Sequence, residues 1–115
     1  MMSSFVYKIK RNYVEFSSED NHTFRYYQPN QKQVLEISRA SGLEEILQAN
    51  EKLLRENLEI LKLDSLDSNK LLSEEEARVI KNTFINELLE NSTLEDFFNA
   101  MNEEFIKQKE IKRKN

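Results

Sequence analysis

The chain has no cysteine and no tryptophan, and only one glycine, one proline and one histidine in 115 residues. Without cysteine there is no disulfide framework, no thiolate nucleophile and no cysteine-based zinc site. Gly and Pro together normally supply about 12 in every 100 residues. Their scarcity argues against folds built on many tight turns, such as a sandwich or barrel, and against a glycine-rich phosphate loop. No apolar run approaches the roughly 18 residues of a membrane span. Met1-Met2-Ser3-Ser4 also lacks the basic-then-apolar order of a secretion signal. With one histidine, His22, set in an expected turn and no partner pattern around it, acid–base catalysis lacks its commonest group. The expectation is one cytoplasmic domain over residues 1–115, not an enzyme, with no cofactor, metal or membrane association.

Charged residues make up 33% and hydrophobic ones 38%, in a mass of 13.7 kDa that can bury a single core. The net charge of −4 is unevenly placed: residues 1–33 carry +2, residues 34–106 carry −10 and residues 107–115 carry +4. An acidic body does not attract a polyanion, so nucleic acid is not the expected partner. The basic end KQKEIKRKN reads as a solvated tail whose cations suit a helix C-terminus.

Seven of the eleven aromatic residues fall within the first 27 positions, the signature of a half-buried pleated surface. Phe5, Tyr7 and Ile9 alternate with Val6, Lys8 and Lys10; Val14 and Phe16 then occupy even positions, so a turn or bulge is expected at Arg11-Asn12. Ser17-Ser18-Glu19-Asp20-Asn21 reads as a turn, and Thr23 to Tyr27 as a strand that ends at Gln28-Pro29. Residues 5–28 are therefore a β-hairpin or three-strand meander.

Helical signals fill residues 30–106. Gln31 to Arg39 forms a short helix, with Gly42 separating it from the next. Ser41-Gly42-Leu43-Glu44 reads as a capping box that opens a long helix to about Leu63, striped by Leu43, Ile46, Leu47, Leu54, Leu58 and Leu61. Ser73 with Glu76 is a second box, with Leu72 as its staple residue, and that helix runs to about Glu90 with Ala77, Ile80, Phe84 and Leu88 inward. Thr93 with Asp96 opens the last helix, whose apolar residues are Leu94, Phe97, Phe98, Met101 and Phe105. The fold class is α+β: an N-terminal β-hairpin or meander packed on three or four helices.

Sites for small-molecule chemistry fail on geometry. Glu74, Glu75 and Glu76 are consecutive on a helix, so their side chains point about 100° apart and cannot converge on one atom. Asp67 to Glu76 has the flavour of a calcium loop but is two residues short and lacks the central glycine. Tyr7, Lys8, Lys10, Arg11, Arg25, Tyr26 and Tyr27 mix rings and cations as single-strand platforms do, yet a core role for the rings is the better reading above an acidic body. What remains is apolar helical surface. Leu47, Leu54 and Leu61 on the long helix, and Phe97, Phe98, Met101 and Phe105 on the last, are the candidates for binding a protein partner or for self-association. Phe97 and Phe98 point about 100° apart, so one of them is free for a partner unless the buried face is broad.

The stretch Val6 to Ile37 resembles the phage tail assembly chaperones of contractile-tailed phages. In that family a pair of strands ends in a short strand followed by Pro and a helix. The matching residues are Thr23-Phe24-Arg25-Tyr26-Tyr27-Gln28-Pro29, then Asn30 to Ile37. The resemblance implies a non-catalytic protein of the host cytoplasm that binds hydrophobic surface of unassembled tail proteins, such as the tape measure or tube protein. It implies no catalytic or ligand-binding residue. The competing expectation is a small helical regulatory adaptor for a protein or RNA partner.

Overall fold

The computed structural model describes residues 11–61 and 71–114, the last three of these by backbone alone. The alternating segment Phe5 to Lys10 and the polar connection Asp64 to Asn69 lie outside the described residues. The elements run β1 (Tyr13–Ser17), β2 (Thr23–Tyr27), α1 (Gln31–Arg39), α2 (Gly42–Asn57), β3 (Leu58–Ile60), α3 (Glu74–Glu90) and α4 (Leu94–Lys114). The fold is α+β: among the described residues, a three-stranded antiparallel sheet in the order β1-β2-β3 with four helices.

β1 and β2 pair from Tyr13↔Tyr27 to Ser17↔Thr23, joined by a turn in which Asn21 takes a left-handed φ of 65°. Asparagine tolerates that conformation better than other non-glycine residues. Strict alternation then divides the sheet. Val14, Phe16, Phe24, Tyr26, Leu58 and Ile60 face the core, while Tyr13, Glu15, Arg25, Tyr27 and Glu59 face outward.

The long second helix ends earlier than the leucine stripe predicts. It stops at Asn57, and Leu58 to Ile60 pair with β2 as Tyr26↔Leu58 and Phe24↔Ile60. Leu58-Glu59-Ile60 has the period of a strand, and pairing beside the aromatic β2 buries both apolar residues at once. Helical spacing alone could not separate these alternatives over so short a run. The expected Ser41 capping box is also absent. Ser41 precedes α2 but makes no side-chain cap bond; its amide instead donates to the Glu45 carboxylate at 2.8 Å. Gly42 has φ +82°, with open space where a Cβ would sit, so backbone conformation rather than crowding requires glycine there.

Two other helix starts are capped in full. Ser73 and Glu76 form the expected reciprocal box at α3, with Leu72 buried just before it. Asn30 and Gln33 form a box at α1 that the Asn-x-x-Gln spacing signals equally well. The α3–α4 joint is a Schellman turn: Ser92 takes φ 56°, its amide reaches Leu89 O, and the Thr93 amide reaches Leu88 O.

The core lies between the inner sheet face, α3 and α4. Phe24 stacks on Phe84 with ring centroids 4.8 Å apart, and Phe16 meets Phe24 at 5.5 Å. Tyr26 meets the edge of Phe97 at 5.5 Å and lies 6.2 Å from Phe105. Ile85, fully buried, joins the expected Ala77 on α3, with Ile80, Phe84 and Leu88 packed against the cluster.

Candidate functional site

The arrangement around α1 reverses the usual sense of an amphipathic helix. Its buried residue is Gln33, while Val34 and Leu35 are exposed. The reason is a polar knot at the end of α2. Asn57, 1% exposed, and Gln33 exchange two amide hydrogen bonds: Gln33 Nε2 donates to Asn57 Oδ1 at 2.7 Å, and Asn57 Nδ2 donates to Gln33 Oε1 at 3.1 Å. Asn57 Nδ2 also donates to Tyr27 O, Arg11 Nη2 donates to Asn57 Oδ1, and Gln33 Nε2 donates to the Glu56 carboxylate. Every amide atom of the pair is engaged, so the cost of burying two neutral polar side chains is met. With Gln33 held inward, the helical repeat turns Val34 and Leu35 away from the knot.

α2 divides along its length. Leu53 and Leu54 are buried, whereas Leu43, Ile46 and Leu47, at i, i+3 and i+4 on one face, are 76%, 39% and 47% exposed. Five large apolar side chains of the α1–α2 arm thus stand in solvent. Isolated exposed leucines need no explanation; here three apolar residues share one exposed helical face. Lys52 ties α2 to Glu36 of α1 at 3.4 Å, and the Lys81 ammonium of α3 donates to Arg55 O near the end of α2 at 2.7 Å. Burial, then the nearby Arg55 charge, holds the Lys81 pKa below its ordinary value.

The expected binding residues are distributed over different environments. Leu47 is exposed; Leu54, Met101 and Phe105 are buried in the core; Leu61 follows β3 and is half-buried. Phe97 and Phe98 are half-buried against Tyr26, with their own ring centroids 5.9 Å apart. The broad aromatic face of the sheet accommodates both rings. Phe97 and Met101 also reach a cavity of about 690 Å³ between the β1–β2 turn, α3 and the start of α4, and His22 stands in its wall. The signal missed in the sequence is Asn30-x-x-Gln33; Asn57, which shares the leucine stripe with Asn50, reads from the sequence as an edge of the stripe touching solvent, and the structure buries it instead. A polar residue inside a leucine stripe at a helix end points to a knot of this kind.

The ring-and-cation residues of the sheet separate as well. Tyr26 is core, and its burial pushes the phenol pKa up to about 12. On the outer face Arg25 lies 4.6 Å over the Tyr13 ring and pairs with Glu15 at 3.2 Å, and Arg11 lies 4.8 Å over Tyr27. The Tyr27 hydroxyl donates to Glu59 at 2.8 Å, which raises its pKa. These rings and guanidinium groups satisfy one another. Glu76 belongs to the α3 cap and Glu75 pairs with Arg78. Among the described residues no group of three or more His, Asp or Glu side chains is placed to hold a metal ion, and no helix is long and apolar enough to cross a membrane.

No protein-family model matches the chain, and neither the curated proteins nor the solved structures include a significant match to it.

Proposed function

We propose that this chain is a non-catalytic assembly chaperone that captures apolar surface of unassembled phage tail proteins, the tape measure or tube protein, on its α1–α2 arm. The observation that carries the reading is the exposed face of Leu43, Ile46 and Leu47 on α2, together with the exposed Val34 and Leu35 on α1. A holding surface must remain apolar in water without collapsing onto its own core. The Gln33–Asn57 knot does this by fixing the arm through polar contacts and leaving its leucines unspent. The resemblance of residues 6–37 to tail assembly chaperones supports the same reading, since β2 ends at Tyr27 and leads through Pro29 directly into α1.

The test is co-expression with the tail tube and tape measure proteins of the same genome. The wild-type chain is expected to keep one of them soluble and to co-purify with it. Leu43→Ser/Ile46→Ser/Leu47→Ser, with circular dichroism unchanged, is expected to recover less than about a tenth of that complex, a loss of about 1.4 kcal/mol or more. A wild-type chain that alters neither protein's solubility, or a triple variant that works as well as wild type, overturns the proposal.

A further inference from the structure

A second surface on this molecule matches a segment that the same chain carries elsewhere. The cavity between the β1–β2 turn and the α3–α4 joint is open to solvent on one side and holds about 690 Å³, within the range of sites that take a ligand or an anchoring side chain. Phe16, Phe84 and Phe97 line its apolar part, and Glu19, Asp20 and Glu87 stand around its mouth. Among the described residues no lysine or arginine lines it, and none of those three carboxylates has an ion-pair partner. Its chemistry suits an apolar side chain delivered on a cationic stalk.

The far end of α4 has that composition. Ile111 is 61% exposed, with Lys107 four residues before it on the same helical face, and residues 107–115 carry a net +4. Lys107 meets Glu104 at 3.2 Å, an exposed pair that is easily exchanged. This segment cannot enter its own cavity. α4 lines the cavity with Phe97 and Met101 and continues unbroken, which places Ile111 about 15 Å beyond Met101 along the helix at 1.5 Å per residue. Gln108 is also tied to Tyr13 O at 3.0 Å, on the strand end opposite the β1–β2 turn.

We infer that the cavity receives the C-terminal end of α4 from a second copy of this chain, with Ile111 as the anchor and the basic residues around it meeting Glu19, Asp20 and Glu87. The contact joins two different surfaces, so it is head-to-tail and propagates into a ring or an open chain of copies. Its charge pairing is exposed, so salt weakens it. It is independent of the client-binding reading, which uses the arm.

The experiment measures mass by light scattering over a range of concentrations, at about 0.02 M and about 0.5 M salt, a span that shortens the screening length several-fold. Wild type is expected to grow with concentration at low salt and to shrink toward monomer at high salt. Asp20→Lys/Glu87→Lys, which alters two exposed cavity residues, and Ile111→Ser are each expected to associate at least tenfold more weakly with unchanged circular dichroism. An equimolar mixture of the two variants is expected to form heterodimers and nothing larger, because one intact tail can meet one intact cavity. Leu43→Ser/Ile46→Ser/Leu47→Ser is expected to associate as wild type. A wild type that stays monomeric, a cavity or tail variant that associates as wild type, a mixture that stays monomeric, or loss of association in the arm variant each overturns the inference.

Discussion

The α1–α2 arm and the body of the molecule, the sheet with α3 and α4, solve the same problem with opposite chemistry. The body is held by aromatic rings: Phe16, Phe24, Tyr26, Phe84, Phe97, Phe98 and Phe105 form one connected set between sheet and helices. The arm is anchored by Leu53 and Leu54, buried at its end, and is otherwise held by amides and ions: Gln33 with Asn57, Lys52 with Glu36, and Lys81 with Arg55 O. Apolar packing is non-directional and consumes apolar surface, whereas an amide pair is directional and consumes none. A region fixed by directional polar contacts can keep its leucines in water and still hold one orientation. Five apolar residues of the arm, Val34, Leu35, Leu43, Ile46 and Leu47, thus stay in water, whereas the inner face of the sheet is spent on the core.

The contrast can be broken most directly in the body. Phe24→Ala is expected to cost about 3–5 kcal/mol, the range for truncating a buried ring, whereas Leu43→Ser should stay within about 0.5 kcal/mol of wild type. Urea unfolding of both checks this, and equal losses would mean that Leu43 is not a solvent residue. Next in size is Asn57→Ala, which strands the Gln33 amide and Tyr27 O. It is expected to cost about 3 kcal/mol and to raise amide hydrogen exchange in α1 more than in α3. Uniform acceleration across both helices would erase the distinction between arm and body.

Alkaline pH probes the body through Tyr26. Its folded pKa, about 12, lies above the ordinary value of 10. The neutral phenol is favoured in the fold, so its contribution is complete below pH 10 and is lost as pH rises toward 12. Stability should fall by on the order of 2 kcal/mol across that window, and Tyr26→Phe should remove that part of the slope in denaturant midpoints. The smallest effect is at the helix joint. Ser92→Gly relieves a left-handed non-glycine residue and should raise stability by about 1 kcal/mol, seen as a higher melting temperature.

Much of the fold was legible in the chain because the deciding interactions are local. The aromatic alternation placed β1 and β2, Ser73 with Glu76 placed the start of α3, and α1 and α3 end where the pattern of residues says they should. The fate of the leucine stripe was not legible. Leu47, Leu54, Leu58 and Leu61 share helical spacing, yet the structure exposes the first, buries the second, puts the third in a strand and places the fourth beyond it. Periodicity reports which residues share a face if a helix forms; it does not report whether a strand edge elsewhere offers a better partner. The open flank of β2 offered that partner, and it drew Leu58 to Ile60 out of the helix.

The sequence by itself determined that this is an α+β protein, because side-chain periodicity and helix caps act over three or four residues and need no distant partner. Only the tertiary structure decided which apolar face is buried and which is left outward. Gln33 and Asn57 lie 24 positions apart, and their mutual hydrogen bonds exist only once β2, α1 and α2 have met. That meeting turns the polar side of α1 inward, and so leaves Val34, Leu35, Leu43 and Leu47 facing water.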